Sequence, residues 1–113
     1  MLAQCHCGNV TISMAAKIEQ VTHCNCSICY RLGAIWAYFL PEQVQVNCSV
    51  TSTKTYRHGD QYIDFHHCPV CGCCTHYTMT ERIDMSRVAV NLRMTDADNI
   101  NQIDVRYFDG ASM

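Results

Sequence analysis

Ten cysteines fall within 113 residues, and seven of them lie in three tight groups: Cys5 and Cys7, then Cys24, Cys26 and Cys29, then Cys68 and Cys71. That density in a short chain marks a fold held by staples, disulfide or metal, as much as by a hydrophobic core. Compartment decides between the two. The opening residues, Met1 to Val10, have neither a basic start nor an apolar run of signal-peptide length, and no stretch approaches the roughly 20 apolar residues of a membrane span. The expectation is a soluble cytoplasmic protein. Disulfides rarely persist in the cytoplasm, so closely spaced thiols there are expected to be metal ligands, with zinc the leading candidate.

The length suits one zinc-binding domain over residues 1–113, with no linker, internal repeat or low-complexity segment to divide it. Eight Lys and Arg stand against ten Asp and Glu with no basic run, which argues against a nucleic-acid partner and leaves a small anionic ligand open. Apolar residues alternate in short runs: Val10, Ile12 and Met14; Val44, Val46 and Cys48; Ile63 and Phe65; Val88, Val90 and Leu92; Ile103, Val105 and Tyr107. Period two over such lengths predicts a mainly β protein of many short strands. The segment 34–40, AIWAYFL, is apolar on both faces and reads as a central strand, and GCCTHYTM after Cys71 reads as another. Helix is expected only at 27–32, ending at Gly33, and at 95–100, with Thr95 or Asp96 as cap.

Cys5 and Cys7 with Cys68 and Cys71 make two short pairs and four thiols, the count of a closed tetrahedral zinc site. Gly8 and Gly72 follow the pairs, where a knuckle that turns backbone N–H groups toward sulfur needs a positive φ. Such a site joins segments about 60 residues apart and makes metal binding part of folding. A redox C-x-x-C pair at Cys68 and Cys71 is disfavoured, because a strand rather than a helix is expected after it.

Cys24, Cys26 and Cys29 then remain as a separate C-x-C-x-x-C group of three. Three protein ligands with one open position is the arrangement of a catalytic zinc. An ion of charge +2 held by three thiolates carries a net charge of about −1, so it activates water poorly and suits a substrate thiolate better. The expected substrate is a thiol or its adduct. The competing reading is that a further residue closes the group, for which Cys48, Cys73, Cys74, His23, His66, His67 and His76 are available. Cys73 and Cys74, adjacent in a strand, must point to opposite faces, and with Cys48 they are otherwise expected to be small buried residues. His6, His23, His66 and His67 flank cysteines and are expected to hydrogen-bond the backbone.

CHCGNV, HCNCSICYRLGAIWAYF, CPVCG and VNLRMTDADNINQIDVRYFDG occur here in that order. Together they resemble the glutathione-dependent formaldehyde-activating enzyme family, a carbon–sulfur lyase family that also includes centromere protein V. The resemblance covers nearly the whole chain. It implies a β-tent zinc fold of packed antiparallel sheets with at most one or two short helices. It also implies two zinc ions, one structural at Cys5, Cys7, Cys68 and Cys71 and one catalytic at Cys24, Cys26 and Cys29. The implied substrates are glutathione and formaldehyde, giving S-(hydroxymethyl)glutathione. Arg31, two residues beyond the trio, is the expected partner of a substrate carboxylate. The alternative function is a non-catalytic zinc-structured glutathione-binding or protein-interaction module, and a redox sensor is a third.

Overall fold

In the computed structural model, which describes all 113 residues, ten strands form two sheets that share no strand. The smaller sheet has the order β1 (Leu2–Gln4), β2 (Val10–Met14), β5 (Val44–Cys48). The larger contains β10 (Asp104–Phe108), β3 (Gln20–Cys24), β4 (Trp36–Phe39), β9 (Val88–Asn91), β8 (Cys74–Met79), β7 (Ile63–His67) and β6 (Lys54–Arg57), in that spatial order. Two short helices, α1 (Ser27–Leu32) and α2 (Ala97–Asn101), complete the regular structure with three single 3-10 turns. No helix is long and apolar enough to cross a membrane.

The predicted central strand forms at β4, between β3 and β9, and its two faces serve two different cores. Ala37 and Phe39 join Val88, Val90 and Leu92 against Ala3, Val10, Ile12 and Met14 of the smaller sheet. Trp36, on the opposite face, packs with Phe65, Tyr77 and Ala89 and also with Cys24 and Cys29. The alternation of β4 therefore sorts the molecule into a sheet-on-sheet core and a second apolar cluster built around the cysteine trio. Trp36 is 1% exposed and lies edge-on to Tyr77 at 4.9 Å, so it anchors the second cluster.

The smaller sheet and both edges of the larger one depart from the expected burial. Val46 and Cys48 alternate as predicted, yet both are exposed, because β5 is the edge strand of its sheet and of that face only Val44 packs against the core. Tyr107 on β10 is likewise exposed, at the opposite end of the larger sheet. Strands β1, β3 and β6 carry no periodic signal: β6 is exposed throughout, and β3 has Val21 as its single aliphatic residue. The pairings are antiparallel except that of β10 with β3, which is parallel, since β10 returns to that edge by a crossover through α2.

Buried polar groups splice these strands. Asn91 is 2% exposed; its Oδ1 accepts from Ile35 N and Arg93 N, and its Nδ2 donates to Cys74 O at 2.8 Å. His66 and His76 are cross-strand neighbours on β7 and β8 whose rings stack at 4.2 Å. Thr53 and Thr78 hydroxyls hold both nitrogens of His66, and the Thr75 hydroxyl lies 2.8 Å from His76 Nδ1.

Burial brings the His76 pKa down to about 3, with His66 adding in the same direction. An unfolded imidazole titrates near 6.5, so between those values the unfolded chain binds the extra proton. The stability that neutral His76 contributes is complete above about pH 6.5 and declines as pH falls toward 3, by at most about 1.4 kcal/mol per pH unit. Urea unfolding from about pH 7 to 5 should show a steeper loss for the wild type than for His76→Gln. Parallel curves would remove this account.

Candidate metal centres and cavity

Cys5 follows β1 and Cys7 lies in the turn before β2, while Cys68 follows β7 and Cys71 lies in the turn before β8. The fold brings these four sulfurs within 4.8 Å of one another. Cys5 and Cys7 are 3.7 Å apart and Cys7 and Cys68 are 3.6 Å apart. With a zinc–sulfur bond of about 2.3 Å a regular tetrahedron has edges of about 3.8 Å, so the donor set fits that ion. Backbone geometry is arranged around the sulfurs. Gly8 and Gly72 have φ of 85° and 82°, and Val10 N donates to Cys5 Sγ at 3.2 Å. The N–H groups of Cys73 and Cys7 draw the Cys71 thiol down to about 5, which favours the thiolate a metal requires.

Asn9 completes this centre, and sequence reasoning did not single it out. It is 3% exposed; its Oδ1 accepts from Val50 N and Thr51 N, while Nδ2 donates to Thr51 O and to Cys68 Sγ at 3.5 Å. One side chain thus ties the first cysteine turn, the loop after β5 and the second cysteine turn. Its sole sequence signal is its place beside the first pair.

Cys24 is the last residue of β3, Cys26 the N-cap residue of α1 and Cys29 the third residue of that helix. Strand end, turn and helix start bring their sulfurs within 4.8 Å of one another, and no fourth His, Cys, Asp or Glu donor belongs to that set. The residues able to close the group lie elsewhere. Cys73 packs toward the sheet-on-sheet core and Cys74 toward the trio's apolar cluster, so the neighbours diverge, and burial lifts the Cys74 thiol to about 12. His23 rests against Tyr107, His66 and His76 stack on each other, and Cys48 is exposed at the end of β5.

The trio's surroundings differ from those of the quartet. Burial pushes the Cys29 thiol up, although Trp36 Nε1 donates to its sulfur at 3.4 Å. Burial also raises Cys24, while for Cys26 the N–H groups of Cys29 and Ile28 and the two neighbouring thiols outweigh burial and lower it. The three sulfurs form one wall of a cavity of about 440 Å³, within the size range of small-molecule sites. Trp36, Phe65, Tyr77 and Phe108 supply apolar walls. The polar groups facing it are His58, Asp60 and Arg87, with the Arg87 guanidinium 4.4 Å above the Tyr38 ring. Tyr77 stays protonated because burial raises its phenol, with Tyr38 adding and Arg87 opposing.

Arg31 is not among the residues facing this cavity. Its Nη1 donates to Ser27 O at 3.0 Å, within its own helix, and the side chain borders a separate cavity on the other side of Ile28. Helical geometry accounts for this: Arg31 lies two residues beyond Cys29, about 200° around the helix, and so points away from it. Arg87 occupies the facing position, and its sequence neighbourhood carries no mark of it.

The two centres predict different mutant behaviour. Cys71→Ser should unfold the protein or cost several kcal/mol, since it opens the link between the sheets. Cys26→Ser should leave a folded protein with one fewer metal ion. Circular dichroism with metal analysis of both variants checks this, and equal unfolding by the two would contradict the division.

The family model described as "Glutathione-dependent formaldehyde-activating enzyme" matches residues 1–108. A crystal structure of a Rhodobacter sphaeroides protein, a structural genomics target, is similar in fold, with a TM-score of 0.74 at 23% sequence identity over 94% of this chain and 100% of that one. No curated protein sequence matches. A family match over nearly the whole length, together with a shared β fold, leads to one assignment: the chain belongs to the glutathione-dependent formaldehyde-activating enzyme family.

Proposed function

We propose that residues 1–113 act as one zinc-dependent domain of carbon–sulfur lyase type, adding the thiol of glutathione to formaldehyde to give S-(hydroxymethyl)glutathione. Cys5, Cys7, Cys68 and Cys71 hold a structural ion, and Cys24, Cys26 and Cys29 hold a catalytic one. The observation that carries this reading is the trio itself: three sulfurs with no fourth protein donor, facing a small-molecule cavity. Family membership supports the substrates.

Zinc bound at the trio would supply the Lewis acidity that keeps an entering thiol deprotonated near neutral pH. The chain's own residues do the rest. Cys24, Cys26 and Cys29 fix where the substrate sulfur sits, and Trp36, Phe65 and Phe108 exclude water around it. Arg87 binds a substrate carboxylate, the role first expected of Arg31. The sulfur attacks the aldehyde carbon, the C=O double bond becomes a C–O single bond, and the proton released by the thiol ends on that oxygen. Tyr77, which lines the cavity and stays protonated, is assigned as a hydrogen-bond donor to that oxygen. Formaldehyde adds to thiols unaided, so the acceleration comes from orientation and from thiolate supply.

Exchange NMR of glutathione with formaldehyde tests the reaction. The zinc-loaded protein should speed adduct formation above the background, and Cys26→Ser should abolish the gain. Tight glutathione binding without acceleration would favour the non-catalytic module instead. Arg87→Ala should raise the KM for glutathione about tenfold or more, while 2-mercaptoethanol, which has no carboxylate, reacts as before. An equal loss with both thiols would remove Arg87 from carboxylate binding.

A further inference from the structure

The segment after β10 lies directly on the cysteine trio. Strand β10 runs parallel to β3 with Phe108 opposite Cys24, and Asn25 N donates to Phe108 O at 3.2 Å. Asn25, between the first two cysteines of the trio, then grips the next residues with both ends of its amide. Its Nδ2 donates to Asp109 Oδ1 at 3.0 Å, and its Oδ1 accepts from Ala111 N at 2.9 Å. The Ser112 hydroxyl donates to the other Asp109 oxygen at 2.7 Å, so the carboxylate is itself held in place.

Gly110 lies inside this grip. A Cβ on it would lie 2.7 Å from Cys24 Sγ and 3.1 Å from Cys26 Cβ. The other four glycines have positive φ, but Gly110 does not, so its backbone tolerates any L residue. What excludes a side chain there is the closeness of the thiol loop. This contact would be soft for a free thiol, because Cys24 Sγ can swing about χ1. A sulfur fixed with Cys26 and Cys29 on one ion has no such freedom. A methyl group at 110 is therefore expected to matter chiefly when the trio is loaded.

We propose that Asn25 and Gly110 are positioning residues of the three-thiol site: the Asn25 amide clamps residues 109–111 onto the trio, and bare Gly110 lets them close on Cys24 and Cys26. Gly110 of the clamp lines the cavity together with the trio and Arg87, so the clamp is part of the wall that an entering thiol meets. This rests on the reading that the trio holds a metal ion, and it adds which residues outside the donor set shape that site.

Cobalt(II) substitution tests the clamp without an activity assay, with the four-thiol site as internal reference. Wild type should take up two ions. Gly110→Ala should keep the far-UV dichroism and the first ion, bind the second at least about tenfold more weakly and shift its thiolate charge-transfer bands. Asn25→Ala should release the second ion to a chelator about tenfold faster. The exchange pair Asn25→Asp with Asp109→Asn, which reverses the bond between the two side chains and leaves Ala111 N donating to an oxygen of residue 25, should restore the wild-type rate. If Gly110→Ala fails to fold, the Asn25 series decides. Unchanged second-ion affinity and spectrum in Gly110→Ala, or no difference among the Asn25 variants, overturns the inference alone. A wild type that takes up a single ion overturns the metal reading, and the inference with it.

Discussion

The knot of four sulfurs between the β1–β2 turn and the β7–β8 turn is the constraint on which the rest depends. The two sheets share no strand, and beside their apolar contact this gathered donor set is where an ion would fix one against the other. An ion there would close the chain between Cys7 and Cys68, 61 residues apart, and so support the sheet-on-sheet core. Asn9 extends the knot to the loop after β5 by bonding Val50, Thr51 and the Cys68 sulfur. A small core with three exposed edge strands, β5, β6 and β10, benefits from such a staple.

The two faces of β4 divide the sheet-on-sheet core from the cavity beside the cysteine trio. Ala37 and Phe39 face the smaller sheet and contribute only packing. Trp36 faces the other way, donates to Cys29 and forms a wall of the cavity, so one residue supports the thiols and shapes the space in front of them. The trio needs this arrangement because its sulfurs come from a strand end, a cap and a first helical turn. That segment is too short to hold them still unless β4 and the residues after β10 enclose it.

Much of the site was legible in the residues. Cysteine spacing separated a set of four from a set of three, because ligand geometry is local within each short pair. The alternation of 34–40 marked the central strand, and Ser27 to Gly33 marked the helix that carries Cys29. Harder to read were β3, with a single aliphatic residue, and β6, which no neighbour covers. Arg31, close in sequence to Cys29, lies on the opposite side of the helix and does not line the trio's cavity.

Sequence by itself determined the donor chemistry, the β class and the family, since these follow from residue types and short spacings that any fold must respect. Tertiary structure alone decided that Arg87 rather than Arg31 faces the cavity, that no fourth donor reaches the trio, and that Asn25 and Gly110 bring residues 109–111 onto it. Each of those joins segments tens of residues apart. Such contacts depend on strand order and on which face a side chain takes, and local pattern does not encode either.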